Sequence, residues 1–343
     1  MNENDDRAWK AEDMLGAVLS DGDDGTPTSK RVDRYFDRLE ASTARTATSL
    51  TGEPVDGPDG RHASKRPELP AEPSLDVPNH ELIRCLGAGG FGQVWLARHT
   101  LTEHHRACKL IPADKALELD GLRRLKQRVS AHPGLFPIDD VGMAEGWIYC
   151  LMPLADAATT DQAVLDHIAY EPLTLDLYLK RHGRRPTAEA AAIGLQLAEA
   201  VHHLHAHGVT HGDIKPANVM RLSGVWTLAD YGLARDLSSP TGNGHTPGYS
   251  PPEGPSSTKA DQYALGLVLM DVLTNREPRM LSDFRETPIE RFKLDDDGPR
   301  LAEIIRRATQ PDPSDRFGSM DELASALRAI APGREPTEPK RSP

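Results

Sequence analysis

The stretch His211-Gly212-Asp213-Ile214-Lys215-Pro216-Ala217-Asn218, followed eleven residues on by Ala229-Asp230-Tyr231-Gly232, decides how the rest of this 343-residue chain is read. It sets two carboxylates, an amide and an ammonium close together in sequence. Upstream, from His80, the runs ELIRCLG, QVWLARH and RACKLI are short, apolar and broken by glycines or polar turns, as in an antiparallel sheet. A helix is expected over residues 115–129, then strands over 135–141 and 147–152. Beyond Leu154, apolar residues three and four apart predict helices over 173–181, 188–207, 259–274, 300–309 and 320–330. A strand-rich half followed by a helix-rich half predicts an α+β chain of two lobes with a cleft between them.

The strand-rich half carries Gly87-Ala88-Gly89-Gly90-Phe91-Gly92-Gln93-Val94, a G-x-G-x-x-G-x-V run. Glycines let a backbone bend sharply and bring N–H groups up to phosphates. Dinucleotide-binding folds share G-x-G-x-x-G, and a plain glycine-rich hairpin would look similar. A dinucleotide site needs a helix opening on the glycines, whereas QVWLARH is β-branched and aromatic and reads as a strand. Seventeen residues after Gly92, Lys109 interrupts the apolar run Ala107 to Ile111. A lysine in a buried strand is costly unless it meets anions.

Taken together, these motifs resemble those of the eukaryotic-like (Hanks-type) serine/threonine protein kinases, whose catalytic loop reads H-R-D-x-K-P-x-N and whose metal-binding triplet reads D-F-G. The resemblance spans about residues 80–331 and implies a small antiparallel N-lobe with one helix (79–153), a larger helical C-lobe (154–331) and an ATP cleft between them. It implies transfer of the γ-phosphoryl of ATP to protein Ser/Thr hydroxyls. Asp213 would be the catalytic base, with Lys215 beside it, Asn218 and Asp230 would hold Mg²⁺, and Lys109 would hold the α- and β-phosphates beneath the 87–94 loop. Thr246-Pro247-Gly248-Tyr249-Ser250-Pro251-Pro252-Glu253 resembles the family's P+1 segment. Arg316 resembles the arginine that pairs with its glutamate, here Glu253. Thr246 resembles the threonine that bonds the catalytic aspartate and lysine, and Asp261 the aspartate that braces the catalytic loop. Pro153 and Ala155 resemble the hinge, with the Pro153 carbonyl and the Ala155 N–H facing adenine and Met152 as gatekeeper.

Some positions depart from that pattern. Gly212 replaces the arginine of H-R-D, so activity is not expected to depend on phosphorylation of Ser238, Ser239 or Thr241. Tyr231 replaces the phenylalanine of D-F-G, and little change is expected from its hydroxyl. Counting back from His132-Pro133-Gly134 at the usual spacing lands on Arg123, so the glutamate that pairs with Lys109 is assigned to Glu118, with Asp120 as fallback. The histidines His202, His203, His205, His207 and His211 read as solvated or helix-capping groups. Two other functions stay open beside the main one: a pseudokinase that binds partners without catalysis, and a small-molecule phosphotransferase sharing the H-G-D loop.

Composition narrows the partners. A formal charge of −12 disfavours generic binding to nucleic acid or anionic membranes. Cys85, Cys108 and Cys150 form no C-x-x-C pair and read as thiols of a reducing compartment. No apolar run is long enough to span a bilayer and the start MNENDD is acidic, so a cytoplasmic protein is expected. Residues 1–78 hold 17 Asp/Glu against 10 Lys/Arg and few large apolar side chains, which predicts mostly disorder. Within them, 5–19 and 30–39 have helical spacing and 52–78 reads as a Pro-rich linker. Residues 332–343 read as a disordered tail. Sequence leaves the physiological substrate and the oligomeric state open.

Overall fold

Apolar and polar side chains alternate from His80 onward because one face of a sheet is buried and the other is not. In a computed structural model, which describes residues 75–89, 92–114, 116–159, 170–236, 248–254, 257–275 and 285–331, five strands form that sheet. They are β1 (His80–Gly89), β2 (Gly92–His99), β3 (His105–Pro112), β4 (Asp140–Ala144) and β5 (Trp147–Met152), in the order β1-β2-β3-β5-β4. Trp95, Ala97, Cys108, Leu110, Tyr149 and Leu151 fill the buried face with Val77. Residues 1–74 and 332–343, with the expected disordered segment, most of the linker and the tail, lie outside the described residues, whereas the linker's last residues, 75–78, join the sheet, because Val77 is buried in its core and bridges His80.

Contacts divide the chain into two compact units, residues 75–113 with 140–151 and residues 114–139 with 152–331. The second unit is mainly helical: α1 (Ala116–Arg128), α2 (Leu175–His182), α3 (Thr187–Ala206), α4 (Thr258–Thr274), α5 (Gly298–Ala308) and α6 (Met320–Arg328). Its centre is α4, which is apolar all round and buried all round, with α3, α5 and α6 packed against it. The Ser257 hydroxyl caps its first turn at Ala260 N, 3.0 Å, and Asn275 closes its end in the left-handed conformation. Two short strand pairs contact α3 through β6 and β8: β6 (Val209–Thr210) with β9 (Arg235–Asp236), and β7 (Val219–Leu222) with β8 (Val225–Leu228).

One sequence reading changes. The strand expected over 135–141 forms only at Asp140–Ala144, and Leu135 makes a single parallel bridge to Leu228. Pro133 and Pro137 flank Leu135 and deny the run the N–H groups that a ladder needs. By its contacts helix α1 groups with the second unit: Leu122 and Leu125 are buried and the helix packs against residues 231–233.

The segment 248–254 is pinned by a buried cation. Arg316, with none of its side chain exposed, bonds both Glu253 oxygens at 2.6 and 2.9 Å and donates to the carbonyls of Gln310, Lys259 and Pro311. Removing one partner of a buried pair leaves an uncompensated charge. Glu253→Ala should therefore cost about 3 kcal/mol of unfolding free energy in urea titration. A loss below about 1 kcal/mol would show that the carbonyls alone satisfy Arg316.

Candidate active site

The sheet contributes one row of residues. Register pairs Gly87 with Val94 and Val94 with Lys109, so the three share the sheet face opposite Trp95 and Cys108. Lys109 thus avoids the apolar core of the sheet and is half-buried. Among the described residues a Cβ at Gly87 or Gly89 would meet no atom within 4 Å, the room that a phosphate-binding loop requires. Ala88 lies between these two glycines, Gly92 opens β2, and Gly90 and Phe91 lie outside the described residues.

The helical unit contributes the catalytic loop, and its anchor is Asp261 at the start of α4. The carboxylate accepts from His211 N at 2.9 Å, Gly212 N at 3.0 Å and His205 Nε2 at 2.8 Å. Burial pushes its pKa up, but the hydrogen bond and charge of His205, then His211 and the Gly212 N–H, hold it below the usual carboxylate range. His211 is fully buried: its Nδ1 accepts from Asp213 N at 3.2 Å, which leaves the proton on Nε2 to donate to Ala229 O, also 3.2 Å away. His205 and His211 are therefore partnered structural residues and not solvated ones. Their partner lies 50 residues or more away, out of reach of local sequence reading.

From that anchor the loop presents Asp213, whose Oδ2 accepts from Lys215 Nζ at 2.8 Å and from Asn218 Nδ2 at 2.9 Å. Asn218 spends its amide nitrogen there and on Asp213 O, which leaves its carbonyl oxygen as its means of taking a cation. Ala229 N donates to Asn218 O at 2.8 Å, so the residue before Asp230 is tied to the catalytic loop on both sides. Asp230 itself is left-handed, at φ 64° and ψ 75°. Carboxylate and amide oxygens are the hard donors that Mg²⁺ takes, so this pair fits that ion.

Gly212 is glycine for a backbone reason. Its φ is +79°, and a Cβ would lie 2.8 Å from Leu233 O. A side chain here is excluded by the chain itself. Helix α1 approaches the same turn: a Cβ at Gly121 would lie 2.3 Å from Tyr231 O, and Arg124 Nη1 donates to Ala234 O at 3.1 Å. Glu118 stands three residues before Gly121 on the same helix face and Asp120 beside it, but their side chains lie outside the described residues. Gly121 and Arg124 were missed in sequence, although a glycine inside an apolar helix signals close approach. Pro153 and Ala155 follow β5, with Ala155 buried and its carbonyl accepting from Tyr170 at 3.1 Å. Thr246, Ser238, Ser239 and Thr241 lie outside the described residues.

With this geometry in place, the chain is assigned by comparison: residues 80–327 match the protein kinase domain, and the chain belongs to that family. Among its relatives are the serine/threonine-protein kinases PknD of Mycobacterium tuberculosis, 32% identical over 282 residues, and PrkC of Bacillus subtilis, 27% identical over 277. These alignments cover 72% and 73% of this chain but only 39% and 40% of those proteins, so the chain spans about two fifths of their length. The crystal structure of the PknI kinase domain of Mycobacterium tuberculosis is similar at a TM-score of 0.52 and 26% identity, covering 74% of this chain and 96% of that one. The sheet-bearing unit and the helical unit are those of the α+β protein kinase fold. Among the described residues no helix is long and apolar enough to cross a membrane.

Two outcomes test this site. Gly212→Ala should destabilise by more than Gly208→Ala, because both glycines have positive φ but only Gly212 faces a carbonyl within 3 Å. The strain common to both is about 1–2 kcal/mol, and the excess at Gly212 measures the contact with Leu233. Stability should also fall with acid. Burial lowers the pKa of His211 and of His132, so the unfolded chain binds more protons below the ordinary value of 6.5. The urea midpoint should hold steady above about pH 7 and drop as pH falls through 6.5, with a shallower drop in His132→Asn. A midpoint flat between pH 7.5 and 5.5 would contradict this.

Proposed function

We propose that this chain is an ATP-dependent serine/threonine protein kinase, with Asp213 and Lys215 catalytic and Asn218 and Asp230 holding Mg²⁺. The observation that carries the reading is the Asp213 carboxylate, fixed by Lys215 and Asn218 on a loop that Asp261 anchors, with Asp230 tied to the same loop. The pairing of Arg316 with Glu253 favours a protein substrate, since it orders the segment that resembles a peptide-binding P+1 loop.

Asp213 orients the acceptor hydroxyl and takes its proton as the oxygen bonds to the γ-phosphorus and the bond to the β-phosphate oxygen breaks, releasing ADP. Lys215 holds the Asp213 oxygen and places a positive charge beside the transferred group. Lys109, with Glu118 as its partner, holds the remaining phosphates over the row formed with Gly87 and Val94. Pro153 and Ala155 offer backbone groups to adenine. When bound, Mg²⁺ neutralises the charge on the phosphoryl oxygens. The substrates are proteins with Ser or Thr, not nucleic acid, in keeping with the chain's net charge of −12. Cys85, Cys108 and Cys150 are thiols, not disulfides, which supports a reducing, cytoplasmic setting.

The test is incubation with labelled ATP and Mg²⁺, with and without a generic basic protein. Label on Ser or Thr supports the reading; label only on small hydroxyl compounds, or ATP binding without transfer, overturns it. Asp213→Asn keeps the shape and should lower kcat by at least a hundredfold while leaving ATP affinity and thermal midpoint near wild type.

A further inference from the structure

The Tyr231 side chain is 3% exposed, and its hydroxyl lies 2.7 Å from Leu228 O and 3.1 Å from Phe136 O. Both carbonyls belong to one junction. Leu228 N donates to Gly134 O and Leu228 O accepts from Phe136 N, each at 2.8 Å, so the loop after α1 is sewn to the end of β8 there. The hydroxyl proton joins that junction from below. At its other end, residue 231 is fixed by its backbone: Tyr231 O accepts from Ala234 N at 2.9 Å and abuts Gly121 of α1.

A side chain clamped at its tip and a backbone clamped at its carbonyl leave the residue no freedom to rotate. The residue before it, Asp230, sits in the left-handed region, which costs any L-residue conformational energy and persists only where its surroundings enforce it. Asp230 makes a turn contact to Gly232 N at 3.5 Å, and the clamp on the next residue adds to the enforcement.

We infer that the Tyr231 hydroxyl is a positioning group for Asp230, holding the turn in the conformation that directs this carboxylate to the metal, so the hydroxyl is not the silent addition to the ring that sequence suggests. The inference rests on the reading of Asp230 as a metal ligand. A phenylalanine would keep the ring beside His211, whose centroid lies 5.7 Å away, and lose the tip contact alone. The turn would then populate other conformers, and apparent affinity falls with the fraction of competent molecules. Loss of one buried hydrogen bond corresponds to about a threefold to tenfold change.

The experiment measures ATP affinity of the full chain with and without Mg²⁺, together with thermal midpoints, for wild type, Tyr231→Phe, Tyr178→Phe and Asp230→Asn. Tyr178 also loses a hydroxyl contact, 2.8 Å to Glu189 in the same unit, and controls for a merely structural effect. Metal-free affinity should be the same in all four. The gain in affinity given by Mg²⁺ should shrink about threefold to tenfold in Tyr231→Phe, vanish in Asp230→Asn and match wild type in Tyr178→Phe. A Mg²⁺ gain in Tyr231→Phe within twofold of wild type overturns the inference, as does an equal loss of metal-free affinity. Hydrogen exchange of the wild type gives a second reading: the Ala234 amide should be protected like that of Leu228, and rapid exchange there counts against the clamp. Because these readouts are binding and exchange, a chain that binds Mg²⁺·ATP but transfers nothing would sink the kinase reading while leaving this one standing.

Discussion

Everything catalytic in the helical unit hangs on one buried carboxylate. Asp261 collects two backbone N–H groups of the catalytic loop and one imidazole N–H, at 2.8 to 3.0 Å. A carboxylate removed from water is costly until its lone pairs are filled, and here three donors fill them. The loop cannot leave without stranding that charge. Its position is thus set by the electrostatic cost of the alternative, more than by the loop's own propensity. Because α4 is buried on every side, the anchor is as immobile as any group in the unit.

The constraint propagates by short steps. Asp261 fixes His211 and Gly212; His211 then receives the Asp213 N–H and donates to Ala229 O, so one ring sets the spacing between the catalytic loop and the metal-binding turn. A neutral imidazole, donor on one nitrogen and acceptor on the other, serves both at once across the width of a ring. Burial keeps it neutral. Acid sensitivity and catalytic geometry therefore have a common origin at His211.

Legibility in the sequence followed the reason for each residue. Asp213, Lys215, Asn218, Asp230 and Lys109 stand at fixed spacing because their chemistry admits few substitutes, and the family could be named from them. Alternating and helical apolar spacing located the sheet and, among the described residues, the five helices α2 to α6 within two residues at their ends. Residues 135–141 misled because hydrophobicity was read without the cost of Pro137 to a ladder. His205 was hidden for another reason: its meaning is a contact with Asp261, 56 positions on, and no local pattern encodes it. Gly121 belongs with His205, since its lack of a side chain matters only against the carbonyl of Tyr231.

Two departures from the family's motifs, Gly212 and Tyr231, bear on the same turn, at residues 230–234. In the usual pattern an arginine at position 212 would reach toward a phosphorylated loop and order it by bidentate pairing. Here that space is taken by Leu233 O, which approaches the glycine too closely for any Cβ. The start of the segment is instead gripped through backbone groups: Ala229 O by His211, the Tyr231 hydroxyl by Leu228 O, Ala234 O by Arg124 of α1 and residues 235–236 by pairing with β6. Of these donors Arg124 is charged, and it donates to a backbone carbonyl. An order written into backbone contacts is present as soon as the chain folds, whereas an order written into an arginine and a phosphate waits for modification. Glycine at 212 and tyrosine at 231 both fall where this turn is held by contacts of the first kind.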